Sequence, residues 1–193
     1  MSRPDTPRAP AGAPGASSRK KVAIAFSKPS AGWREQDFDA RAVCRKAARA
    51  AVALAAPKLS QAELSIVLGD DALVHRLNRE WRGQDKPTNV LSFPASDLEE
   101  CDFEMEPQPG DAPILLGDVV LALETVTAEA AAQHKRAADH LTHLVVHGVL
   151  HLLGFDHEDE AEAVAMEGLE IRILAGMGLA DPYSPFLPEA AHG

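Results

Sequence analysis

The stretch HGVLHLLGFDH, residues 147–157, sets three histidines in the spacing H-x-x-x-H-x-x-G-x-x-H. Residues four apart share a face on a helix, so His147 and His151 converge on a common point if this stretch is helical. Gly154 is suited to the left-handed conformation that ends such a helix and turns the chain back, bringing His157 to the same point. The spacing thus predicts a helix over about 138–153 followed by a tight turn. His140 and His143 fall on the same helical stripe.

Three imidazole nitrogens about 2 Å from an ion are the ligand set of a zinc site, and they leave one tetrahedral position open, the feature that separates catalytic from structural zinc. One zinc per chain, on His147, His151 and His157, is the expectation, with His147 and His151 also counted as catalytic. A zinc protease of H-E-x-x-H type carries a general-base glutamate where this chain has Gly148. Peptide hydrolysis leans on that glutamate to protonate a poor amine leaving group, so the protease reading is set aside. Asp156 is read either as a group that orients a histidine or serves as a base, or as a helix N-cap. His140, His143, His75 and His134 are read as hydrogen-bonded core histidines, His143 also as a candidate support for a ligand, and His192 as a tail residue.

Strand and helix signals alternate along the 193 residues. KVAIAF (21–26), ELSIVL (63–68), NVLSF (89–93) and ILLGDVVLAL (114–123) read as strands. Helices are expected over 37–56, over 71–81 with Asp70 or Asp71 as cap and Leu73, Val74, Leu77 and Trp81 on one apolar stripe, from Thr125 or Thr127 to about Arg136, over 138–153, and from just after His157 to about Gly176. This pattern is an α+β single domain: a mixed four-stranded sheet packed with about five helices, with the metal site on a C-terminal helix and the following turn. Residues 1–20 are rich in Pro, Ala, Gly and Ser and are expected to form a disordered tail; 21–180 form the domain; 181–193, with three prolines, form an irregular C-terminal tail.

Hydrophobic residues at 46% and no apolar run near the roughly 20 residues of a membrane span predict a soluble protein, and only two cysteines predict a reducing, cytoplasmic setting. The net charge is −10. Residues 1–21 are basic, which leaves the remainder near −14, and 97–111 form an acidic segment expected to be a long loop. Such a surface repels bare phosphate backbones and favours basic partners.

HGVLHLLGFDH resembles the signature H-G-x-L-H-L-x-G-[YF]-D-H of the YbeY family of metal-dependent endoribonucleases. LNREWRGQDKPTNVLSFP (77–94) and LLGDVVLALETV (115–126) resemble the family's other two motifs, and the likeness covers roughly residues 60–160. Phe155 replaces the commoner tyrosine, and Gln84 stands where lysine is frequent. The resemblance implies zinc-dependent, single-strand-specific endoribonuclease activity in 3′-end maturation of small-subunit ribosomal RNA and in ribosome quality control. It implies histidine ligands at His147, His151 and His157 and a motif arginine at Arg82. For the RNA phosphodiester that the resemblance implies as substrate, the missing glutamate matters less, provided a cation meets the charge growing on phosphorus. Arg82 is then the candidate cation, because its planar fork matches phosphate oxygens, with Lys86 and Ser92 as weaker candidates for phosphate contacts. The implied partners are ribosomal RNA presented on the small ribosomal subunit and a basic ribosomal protein or assembly GTPase, with no membrane. The competing reading is a ribosome-assembly binding factor in which the metal is largely structural.

Overall fold

The computed structural model describes residues 21–27, 30–95, 112–157 and 159–184. The expected tail 1–20, the acidic segment 97–111 and His192 lie outside the described residues, as does 185–193 of the C-terminal tail. Strands β1 (Lys21–Phe26), β2 (Gln61–Gly69), β3 (Val90–Pro94) and β4 (Ile114–Ala122) form one sheet in the order β1-β2-β4-β3. β1, β2 and β4 run parallel, and β3 is antiparallel to β4. Parallel strands need both faces covered. Helices α1 (Ala40–Ala55) and α4 (Ala137–Leu152) cover one face, where Leu64, Ile66 and Leu68 of β2 meet Val119 and Leu121 of β4. Helix α2 (Asp71–Arg82) covers the other, against Leu91, Val120 and Ala122. Helices α3 (Leu123–Ala132) and α5 (Glu160–Gly176) complete the domain. The expected mixed sheet and five helices are therefore found.

Local chemistry explains most element ends. Asp39 caps α1 by accepting from Ala42 N at 3.0 Å, which starts the helix at residue 40 rather than 37. Asp70 caps α2 by accepting from Leu73 N at 2.9 Å. The expected Thr caps of α3 do not form. β4 runs directly into α3 with Ala122 at the N-cap, Thr125 gives its hydroxyl and backbone N–H to Asp71 Oδ1, and Thr127 bonds back to Leu123 O. α3 also ends at Ala132, short of the expected Arg136, in a turn where His134 is exposed at φ 54°. A short 3-10 turn at Ala31–Arg34, unforeseen in the sequence, buries Trp33 and lets its indole donate to Gly69 O at 2.7 Å.

Helix α4 is the centre of the packing. It buries Leu141, Leu144, Leu150 and Leu152 along with three valines, each worth about 1.5–3 kcal/mol on removal from water. A Cβ on Gly148 would lie 2.9 Å from Val119 Cγ1 and 3.1 Å from Ser92 Oγ, so glycine here is what lets α4 lie close on the sheet. The position that a zinc protease gives to its base faces the sheet in this fold.

Candidate metal centre and its cleft

Helix α4 carries His147 and His151 one turn apart. It ends in a turn where Gly154 takes φ 84° and Phe155 N donates to Leu150 O at 3.1 Å, the six-residue closure of a Schellman motif. Phe155 packs on the core and anchors the reversal. His157 follows two residues later, and one ring nitrogen from each of His147, His151 and His157 lies within 4.8 Å of the others. His147 Nε2 and His151 Nε2 are 3.2 Å apart. Two ligands held tetrahedrally at about 2.0–2.1 Å from one ion stand about 3.4 Å apart, so this pair already has the spacing of a shared metal.

The protonation pattern agrees. Glu170, completely buried on α5, accepts from His147 Nδ1 at 2.7 Å and from His143 Nε2 at 3.1 Å, and the Tyr183 hydroxyl donates to it as well. Burial alone would raise the Glu170 pKa, but the bonds from His143, His147 and Tyr183 outweigh it and hold the carboxyl at about 2. An ionised carboxylate only accepts, so His147 carries its proton on Nδ1 and keeps the Nε2 lone pair for an ion. His151 is pushed down to about 4, first by burial and then by the neighbouring His147 and His157 rings, so it is neutral at pH 7. A divalent metal needs free ring nitrogens turned to one point; the Nε2 of His147, left inward by its Nδ1 bond to Glu170, and the neutral His151 supply two, the ring of His157 stands beside them, and the residues fit the ion.

The three histidines line a cleft of about 610 Å³ whose other wall holds Arg82, Asn89 and Ser92. Arg82 ends α2 and is exposed, and Gly83 behind it takes φ 66°. Ser92 reaches the cleft, with its hydroxyl donating to Gly148 O at 3.1 Å. Among the described residues this is the one cluster of three or more metal-type ligands within such a distance.

The pattern of the family described as Endoribonuclease YbeY matches residues 33–178. The chain belongs to the YbeY family. An Endoribonuclease YbeY of Paramagnetospirillum magneticum is 54% identical over 164 residues, 84% of this chain and 96% of that protein. The YbeY of Azorhizobium caulinodans is 55% identical over 76% of this chain and 87% of its own. That of Rhodospirillum rubrum reaches 62% over 63% and 58% respectively.

Within this YbeY fold several expectations change. Lys86 is exposed and does not line the cleft; its carbonyl holds the buried Asn78 amide at 2.8 Å, which ties the loop after α2 to the helix. Asp156 does not cap α5, because Asp159 does so through Glu162 N at 2.8 Å; Asp156 instead accepts from His157 N at 2.8 Å and lies 3.9 Å from His151 Nδ1. His140 is buried as expected, with Nε2 2.8 Å from Glu129 Oε2. His75 and His134 are not core residues: His75 pairs with Asp85 at 2.7 Å near the surface, and His134 occupies the exposed turn after α3. Trp81 leaves the apolar stripe of α2 and is 72% exposed. Glu170 was missed altogether, although a signal existed: it interrupts the stripe Met166, Leu169, Ile173, Leu174 with the one charge that α5 buries. Such a charge is kept inside only when paired.

Proposed function

We propose that this chain is, like the relatives named Endoribonuclease YbeY, an endoribonuclease, and that it is metal-dependent and acts in ribosomal RNA processing, with one zinc held by His147, His151 and His157. The observation that carries the proposal is three inward-facing imidazoles opening on a cleft that also contains Arg82. Bound there, zinc supplies Lewis-acid polarisation of a phosphoryl oxygen and a lowered pKa for water.

The chain's own groups do the rest. Glu170 holds the His147 proton on Nδ1 and orients the ring. Arg82 binds the phosphate from the facing wall and stabilises the charge that builds on its oxygens, its two N–H prongs matching two of them. Gly148 has no side chain to shuttle a proton, which suits a sugar alkoxide leaving group better than an amine. The substrate we assign is single-stranded RNA at the 3′ end of small-subunit ribosomal RNA, within ribosome quality control in the cytoplasm. The surplus of acidic side chains argues for delivery on the small ribosomal subunit, through a basic ribosomal protein or an assembly GTPase. No described helix is long and apolar enough to cross a membrane. The open cleft favours catalysis over the assembly-factor reading, because a structural zinc is closed by a fourth protein ligand and the cluster has three among the described residues.

The deciding experiment compares cleavage of precursor ribosomal RNA by zinc-loaded wild type and His151→Ala, with and without small subunits. Cleavage on subunits that is lost in the variant is expected. Wild-type protein that binds subunits and zinc but cuts neither substrate would establish the assembly factor instead.

A further inference from the structure

Trp81 is the largest exposed apolar side chain among the described residues, at 72%, on a helix stripe whose earlier members Val74 and Leu77 pack inward. The other tryptophan, Trp33, is 3% exposed and hydrogen-bonded. With Leu115, itself 59% exposed in the hollow that the indole lines, Trp81 forms an exposed apolar patch, and such a patch calls for a reason. The reason is position. One turn past Leu77 the helix reaches the edge of the sheet, where Phe93 of edge strand β3 meets the indole at 6.2 Å between ring centroids and 70° between planes. That near-perpendicular contact fixes the ring without covering both of its faces.

Trp81 also stands at a divide. On one side is the cleft of the three histidines and Arg82, its chain neighbour. On the other is the hollow, of about 850 Å³, that Trp81 lines with Phe93, Leu77, Leu115 and Val120. A ligand that spans the two can lay a flat, apolar end on the indole, on the side where the hollow also carries Asp118, and present an anionic end to Arg82. An unpaired nucleotide has that form.

We propose that Trp81 is a stacking platform for one unpaired nucleobase of the RNA strand, placed so that the adjoining phosphate falls to Arg82 beside the histidine cluster. The proposal rests on the endoribonuclease reading and adds a subsite to it. Stacking uses the π face that every base has, so the subsite selects single strands without selecting sequence, and a duplex, whose bases are already stacked inside, is refused. In an acidic protein, where a long run of phosphate contacts is unfavourable, a base held by its apolar face supplies affinity that charge cannot.

The test uses the zinc-loaded full chain and short single-stranded RNA. Stacking on an aromatic residue is worth about 1–3 kcal/mol per base, so Trp81→Ala should raise KM by about 10-fold. Its kcat should stay within about 2-fold, the pattern of lost uniform binding. Trp81→Phe should recover most of the difference. Removing the base of the nucleotide beside the cut should weaken wild type and leave Trp81→Ala nearly unaffected. RNA should quench wild-type tryptophan fluorescence but not that of Trp81→Ala, where only the buried Trp33 remains. An unchanged KM for Trp81→Ala overturns the proposal. So does a large fall in its melting temperature, because the ring would then be packed against the chain itself. A defect seen on small subunits but not on free RNA also overturns it, in favour of a protein contact. If wild type cuts no RNA, the nuclease reading fails by itself; the fluorescence titration still decides the platform, and no quenching ends it.

Discussion

Replacing Glu170 by glutamine asks whether one buried carboxylate sets the chemistry of His147. In the wild type it accepts from His147 Nδ1, His143 Nε2 and the Tyr183 hydroxyl, with no exposed surface of its own. The amide oxygen of glutamine can still accept from His147, but the amide NH₂ then confronts donors from His143 and Tyr183. Two charge-assisted bonds, each worth about 1.5–3 kcal/mol, are weakened or lost. Tyr183 is 45% exposed and can turn to water, which lowers the expected destabilisation of the zinc-free fold to about 2–3 kcal/mol. The remaining bond to His147 is neutral, so the ring is less firmly oriented and its Nε2 less basic. Loss of such a support costs zinc affinity on the order of 10- to 100-fold. Competition with a chromophoric chelator measures the affinity, and urea denaturation of the zinc-free protein measures the stability. A Glu170→Gln protein that holds zinc within about 3-fold of wild type would refute the reasoning, since His147 would then be set by something other than this carboxylate.

Three further outcomes are expected. Gly148→Ala should lose up to about 2 kcal/mol in stability, because overpacking against Val119 at 2.9 Å costs about 1–3 kcal/mol and the helix propensity of alanine returns about 1 kcal/mol; a variant that gains the full propensity term and melts above wild type contradicts the close approach of α4 to the sheet. Zinc-free protein should lose stability as pH falls, because His151, Glu170 and the buried His140 all have folded pKa values below their ordinary ones: His151 loses its contribution between 6.5 and about 4, Glu170 between 4.5 and about 2, and His140 below 6.5. Denaturation midpoints that stay level from pH 7 to pH 4 would show that His151 is not held neutral. Arg82→Ala should keep fold and zinc yet cut RNA about 10²-fold more slowly or worse, with Arg82→Lys only partly restored, and wild-type single-turnover rates in Arg82→Ala would remove the residue from catalysis.

Periodicity and spacing were enough to read the four strands, the helix that carries His147 and His151, the turn at Gly154 and the convergence of His157. All of these depend on neighbours within about one or two turns of chain, and local backbone geometry is what periodicity reports. The cap at Asp70 is likewise local, whereas the equally local caps at Asp39 and Asp159 went unread in the sequence. What sequence could not disclose depends on contacts between distant residues. Glu170 meets His147 across 23 positions, and Ser92 meets Gly148 across 56. The reading of Thr125 as a cap failed because Asp71, 54 residues away, takes its hydroxyl. Trp81 is the sharpest case, since its place in the apolar stripe of α2 predicts burial and only the point at which the sheet ends leaves it in water. A pattern along the chain says which way a side chain faces, and the packed sheet and helices decide what stands in front of it.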